Sequence, residues 1–304
     1  MIGDAPVLVL GARGQVAREL ARLGLELGMS LETAGRERLD LSSDSADETV
    51  LGALIDQTGA RGVINAAAYT AVDLAESEPE RAFHLNRDIP GRLARVCADR
   101  AIPLVHYSTD YVFDGAKAAA YVETDPRSPL NVYGRSKAGG EDQVLAAGGD
   151  AIILRTAWVF GAFGRNFMKT MLSLAETRTE LTVVDDQRGR PTWSRDAAQA
   201  GLAALDLLRR GGPSGLYHAA GADDASWADL AEHLMGLRAV PGRPSPAVRR
   251  ITTAEFPTAA QRSPYSGLDS SRLAAQTDWR PSGWRSAASA AYADLQSLVS
   301  KGIV

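Results

Sequence analysis

The sequence predicts a doubly wound α/β fold, on three observations. Short runs of β-branched and aliphatic residues alternate with stretches of helical periodicity through the first half of the chain. The first run ends in a glycine turn that opens directly into a helical pattern. The composition, 45% hydrophobic and 23% charged over 304 residues, is that of an ordinary globular chain with one large or two smaller domains. Strand–helix repetition implies a parallel sheet covered on both faces, and right-handed crossovers wind it both ways.

Pro6 to Leu10 is the first strand, and Gln15 to Leu27 the first helix, with Val16, Leu20, Leu23 and Leu27 at helical spacing. Leu31 to Ala34 follows as a strand, Asp44 to Asp56 as a helix and Gly62 to Asn65 as a third strand. Asp73 to Arg100 is mostly helical, with Pro90-Gly91 as a break. Pro103 to Tyr107 and Ala151 to Leu154 supply two more strands. The second half is less regular. Leu181 to Val184 and Gly215 to His218 read as strands, Arg195 to Arg210 and Ser226 to Leu237 as helices. Val240 to Pro246 reads as a loop, and Arg285 to Val299 as a final helix. A boundary is expected near residue 160, with a re-crossing into the sheet beyond it left open.

Several classes are excluded. A net charge of -4 argues against a broad basic face for nucleic acid. The apolar stretch Gly62 to Val72 is shorter than the roughly 20 residues that span a membrane. Met1 to Pro6 shows no basic and apolar leader pattern. Cys97 is the only cysteine, so no internal disulfide forms, which fits a reducing, cytoplasmic setting. Among 33 basic residues only Lys117, Lys137, Lys169 and Lys301 are lysines, so a lysine within a motif is a sharper signal than usual.

Gly11, Arg13 and Gly14 belong to a turn between strand and helix. Glycine lets a pyrophosphate approach the backbone, and free amides with the helix dipole attract the anion. Ala17 takes the place of a third glycine and is small enough for helix–strand packing. Arg36 follows the second strand, where a carboxylate would favour NAD and an arginine can pair with the extra phosphate of NADP. Asp40 and Leu41 are expected beside the adenine. The turn makes the predicted sheet Rossmann-like.

Val105 to Asp110 ends the fourth strand, and Tyr133-Gly134-Arg135-Ser136-Lys137 opens a helix. A Tyr and a Lys four residues apart on a helix project from the same side. An ammonium beside the phenol would lower its pKa from about 10, so that Tyr133 exchanges a proton near neutral pH. Thr109, at the neighbouring strand end, would hold the substrate oxygen in line.

This order of glycine turn, strand-end Ser/Thr and Tyr-x-x-x-Lys resembles the extended short-chain dehydrogenase/reductase superfamily. The stretches Asn65 to Asp73, Ala75 to Pro79, Tyr107 to Gly115, Ser128 to Gly134, Arg155 to Gly161 and Asn166-Phe167 resemble, more narrowly, the dTDP-4-dehydrorhamnose reductase family. The likeness runs nearly the whole chain, to about Arg272. It implies reduction of the 4-keto group of dTDP-4-dehydro-β-L-rhamnose by NADPH or NADH. Tyr133 would protonate the oxygen, Lys137 would tune it and hold the nicotinamide ribose, and Thr109 would orient the keto group. Gln15, Val16, Ala67, Ala68 and Tyr69 would join the glycine turn in lining the cofactor. Asp110, Trp158 and Asn166 would face the nucleotide sugar, with Arg262 on its nucleotide side. On this reading residues 1–160 bind the dinucleotide and 161–304 form mainly a smaller substrate-binding α/β region.

Some members of that family are magnesium-bridged dimers built on glutamates. Glu19 matches one position, but Arg195 stands where a second glutamate belongs. Arginine cannot ligate magnesium, so no structural metal is expected, and the chain is expected as a monomer or homodimer. His84, His106, His218 and His233 have no zinc spacing and are read as structural. Two alternatives remain open: another nucleotide-linked 4-keto-6-deoxysugar as substrate, or a non-catalytic subunit resembling the regulatory subunit of methionine adenosyltransferase.

Overall fold

A computed structural model describes residues 6–239 and 245–304. The loop expected at Val240 to Pro246 falls mostly outside the described residues, as do Met1 to Ala5.

The first half builds β1 (Val7–Leu10), α1 (Gln15–Leu27), β2 (Leu31–Ala34), α2 (Glu48–Thr58) and β3 (Val63–Asn65). Then follow α3 (Val72–Ala75), α4 (Pro79–Phe83), a π-helical turn (His84–Asp88) and α5 (Ile89–Asp99). Next come β4 (Leu104–Thr109), a 3-10 turn (Asp110–Val112), α6 (Val132–Ala146) and β5 (Ala151–Thr156). The second half adds β6 (Val159–Phe160), α7 (Phe167–Leu174), β7 (Glu180–Val184), β8 (Arg188–Gly189), β9 (Thr192–Trp193) and α8 (Ser194–Arg209). It ends with β10 (Gly215–His218), β11 (Ala225–Ser226), α9 (Trp227–Arg238), β12 (Ala247–Ile251), α10 (Ser271–Gln276) and α11 (Trp284–Ser300).

Six strands form one parallel sheet in the order β10-β5-β4-β3-β1-β2. Both faces are covered, which is why β1 and β4 are buried along their whole length. On one face Leu20, Leu23, Leu205 and Leu208 of α1 and α8 pack on Val9, Val105 and Ile152. On the other, Leu51, Ile55, Leu93 and Val144 pack on Leu8, Val63 and Ile153. The winding reverses between β1 and β3, opening a crevice at their carboxyl ends. A separate apolar cluster holds α7, α9 and α11 against β7, built on Met168, Leu181, Leu230, Leu234 and Trp284.

Three local departures have physical causes. The second helix starts at Glu48 instead of Asp44 because the Asp47 side chain accepts from the Val50 amide and caps it there. No break falls at Pro90: the helical run continues from Pro79 to Asp99, its irregularity is the π turn directly before, and Pro90 lies in the first α turn after it. Strand β4 runs two residues past Tyr107 because pairing with β5 continues to Thr109 opposite Thr156.

Candidate active site

At the end of β1, Gly11 takes φ +105° and a side chain there would meet the Ala67 amide at 2.9 Å. Only glycine suits that backbone and that approach. Gly14 caps α1 without any side-chain hydrogen bond, leaving amides at the helix start available to an anion. The turn and Ala66, Ala67 and Ala68 wall one cleft of about 320 Å³ with Arg36, Asp40 and Leu41. Arg36 is exposed at its rim. Asp40 is held below the ordinary carboxylate range, chiefly by the Ser42 hydroxyl and amide. The Arg13 guanidinium is turned outward, 3.9 Å from Glu37.

Other cofactor-side candidates are partly spent on the scaffold. Tyr69 donates its hydroxyl to Glu78 at 3.0 Å, and its backbone is clasped by Asn86. Gln15 donates to the Val159 carbonyl at 3.3 Å and accepts from Asn166 at 2.9 Å.

Thr109 and Tyr133 come together beyond the cleft. The start of α6 is fixed by the Asn131 side chain, which accepts from the Gly134 amide at 2.8 Å, and by Glu76, which accepts from Val132 at 2.7 Å. This places Tyr133 in the first helical turn, buried, edge-on to Tyr111 with centroids 5.3 Å apart. The Thr109 hydroxyl, which donates to Asp110, lies beside the Tyr133 phenol and eases its ionisation. Burial nevertheless pushes that phenol up to about 12, with the Asp110 charge adding to the rise. The sequence predicted the reverse, a phenol lowered by Lys137. The Lys137 ammonium is instead turned to β4, donating to the Tyr107 carbonyl with His106 at 3.4 Å, and its charge does not figure in the Tyr133 shift. Being buried, Lys137 is itself lowered to about 8.

On the sugar side, Asp110 is buried, accepts from the Thr109 hydroxyl at 3.0 Å and is raised to about 6 by desolvation. Trp158 stacks flat on Trp227, centroids 3.5 Å apart. Asn166 departs from its expected sugar contact. Its carbonyl caps α7 through the Lys169 amide, and its NH2 group is taken up by Gln15, Gly161 and Phe163. Arg262 pairs with Asp73 at 2.8 Å and donates to the Ala260 carbonyl.

Sequence reasoning missed three supporting residues. Glu141 is fully buried and accepts from Arg155 at 2.8 and 2.7 Å and from Ser108 at 2.6 Å. Trp227, partner of Trp158, carries no motif signal. Asn65 lay inside a quoted motif, but its bond to His106 depends on strand pairing. Glu19 is fully buried, with Arg22 and Arg195 each 3.8 Å away.

The fold, with a glycine turn at the reversal of strand order, defines a Rossmann-type dinucleotide-binding protein. Comparison with known proteins narrows this. A family model described as RmlD substrate binding domain matches residues 5–297. A dTDP-4-dehydrorhamnose reductase of Burkholderia thailandensis is 41% identical over 300 residues, 96% of this chain and 99% of its own. A Streptomyces niveus protein named dTDP-4-keto-6-deoxy-D-glucose reductase is 41% identical over 241 residues, 79% of this chain and 81% of its own. The crystal structure of a Bacillus anthracis dTDP-4-dehydrorhamnose reductase in complex with NADP is 28% identical, with a TM-score of 0.86 over 96% of this chain and 99% of that one. The chain belongs to the dTDP-4-dehydrorhamnose reductase family.

Proposed function

We propose that the protein reduces the 4-keto group of dTDP-4-dehydro-β-L-rhamnose to dTDP-β-L-rhamnose, the last step in making that nucleotide sugar. The observation that carries this reading is the buried Tyr133 phenol beside the strand-end Thr109, next to the crevice beyond β1 and β3. The dinucleotide fits that crevice: Gly11 leaves room against Ala67 and the amides after Gly14 are unspent by side chains. NADPH, or NADH, supplies the hydride for carbon 4 when bound.

Gly11, Arg13, Gly14, Gln15 and Val16 would hold the pyrophosphate and nicotinamide side, with Ala67, Ala68 and Tyr69 across the crevice. Arg36, Asp40 and Leu41 would take the adenosine end. A phenol near 12 stays protonated at neutral pH, so Tyr133 keeps its proton until a more basic oxygen develops beside it, and donates then. Thr109 would orient that oxygen, and Lys137 would hold the ribose. Asp110, Trp158 and Arg262 would face the nucleotide sugar, and Asn166 would act through Gln15. We assign dinucleotide binding to residues 1–160 and mainly substrate binding to 161–304, supported by the second apolar cluster around Met168 and Trp284. A cytoplasmic setting fits the single, buried Cys97. Among the described residues no helix is long and apolar enough to cross a membrane.

A second reading keeps the chemistry and changes the keto-sugar, favoured by the Streptomyces niveus relative. Incubation with NADPH and dTDP-4-dehydrorhamnose, following cofactor absorbance and identifying the product, separates the two. Tyr133→Phe is expected to lower kcat by about 10²–10⁴-fold while cofactor affinity stays near wild type. Unchanged turnover would reject the proton-donor role.

A further inference from the structure

Beneath the site, Asn65, His106 and Lys137 form a buried line. The His106 Nδ1 lies 3.1 Å from Asn65 Nδ2, and its Nε2 lies 3.4 Å from Lys137 Nζ. The Asn65 amide cannot be turned over. Its Oδ1 accepts from the Ala67 backbone N–H at 3.1 Å, and a backbone N–H only donates. The group facing His106 is therefore the NH2, which also only donates. His106 Nδ1 must then be the bare nitrogen, and the neutral ring carries its hydrogen on Nε2. Burial, with the nearby Lys137 charge, holds His106 well below the ordinary imidazole range, so the neutral ring is the form present. That Nε2–H points at Lys137 Nζ. An ammonium has no lone pair to receive it, whereas an amine does. The other contact of Lys137, donation to the Tyr107 carbonyl, suits both forms.

We propose that His106, its tautomer set by Asn65, is a positioning residue that biases Lys137 toward the amine while the side chain rests on β4. The proposal deepens the reductase reading above and rests on it. The other groups around Lys137 do not cancel the bias. Glu141, on the same helix, favours the ammonium, but it is already engaged by Arg155, Arg127 and Ser108. Tyr133, also on α6, is a neutral phenol near physiological pH. From the π turn, Asn86 brings only an uncharged amide to Ser136. Lys137 thus changes charge within reach of physiological pH, and its hold on a ribose changes with it.

The chain has four lysines, so 13Cε-labelled lysine gives four resonances to titrate by NMR, with Lys137 assigned by its loss in Lys137→Arg. In Asn65→Leu the ring is free to move its hydrogen to Nδ1 and offer Nε2 to the ammonium. The Lys137 midpoint is then expected to rise by about one pH unit. In His106→Leu the donor is gone, and the midpoint rises by less. The alkaline limb of kcat, where the charged lysine is lost, should move to higher pH alongside it. A midpoint that falls or stays put would overturn the proposal, because it would mean His106 accepts from the ammonium. Unmoved resonances of Lys117, Lys169 and Lys301 report an intact fold, and either variant alone decides the direction. If wild-type protein fails to turn over the keto-sugar, the reductase reading fails while the titration still tests His106.

Discussion

Trp158 adopts φ +49°, a backbone conformation that costs a bulky residue on the order of 1–3 kcal/mol. Its ring stacks on Trp227, and a side chain at Gly189 would collide with it, so close packing surrounds the strained conformer. Such strain collects at ligand clamps, which suits a residue proposed to meet the nucleotide sugar. Arg36 is the opposite case, exposed at the rim of the cleft with nothing built around it. If it pairs with the extra phosphate of NADP, Arg36→Ala should cut the ratio of kcat/KM for NADPH over NADH by about tenfold or more, since a charge-assisted hydrogen bond contributes roughly 1.5–3 kcal/mol. An unaltered ratio would leave Arg36 a surface residue. At this scale the Tyr133–Lys137 spacing was legible, because helical periodicity fixes which side chains share a face. Where the Lys137 ammonium points was not, because the Tyr107 carbonyl and His106 that attract it lie on another element.

Helix α6 carries Tyr133 and Lys137 and is held at both ends of its buried face. Asn131 and Glu76 secure its start. One turn beyond Lys137, Glu141 is locked into a buried pair with Arg155 of β5. Breaking such a pair strands a charge in a low-dielectric interior. Arg155→Met should therefore destabilise the protein by about 3–5 kcal/mol, read as a lower urea midpoint at unchanged slope. A loss under about 1 kcal/mol would show that Arg127 and Ser108 satisfy Glu141 without help. Elements themselves were largely readable. Gln15 to Leu27 and Gly215 to His218 coincide with α1 and β10, since their apolar spacing and flanking glycines are local signals. The π turn before α5 was not, because it depends on how Asn86 clasps Tyr69 and Ser136.

Over the whole molecule, the buried Glu19 sits between two arginines that tie the cofactor-side helix α1 to α8 and α11. Arg22 of α1 reaches Asp294 at 2.6 Å, and Arg195 of α8 engages Glu26. Burial raises Glu19 to about 7, against the pull of Arg22 and Arg195. The folded chain thus keeps a proton on Glu19 that the unfolded chain has already lost. Between about 4.5 and about 7 the folded state binds more protons, so this residue's contribution to stability falls as pH rises through that window. Glu19→Gln should leave stability near wild type at pH 4 and raise it at pH 8, measured as Tm. Parallel Tm–pH curves for the two proteins would contradict this. Chain-local signals were enough to announce the parallel sheet and the glycine turn and to put Tyr133 and Lys137 on one helix, because strand and helix periodicity and motif spacing are properties of neighbours in sequence. Packing decided the rest: the rise of the Tyr133 phenol, the turning of Lys137 to β4, the Trp158–Trp227 stack and the diversion of Asn166 to a cap. Each of these depends on burial or on a partner far away along the chain, and desolvation and long-range pairing exist only once the chain has folded.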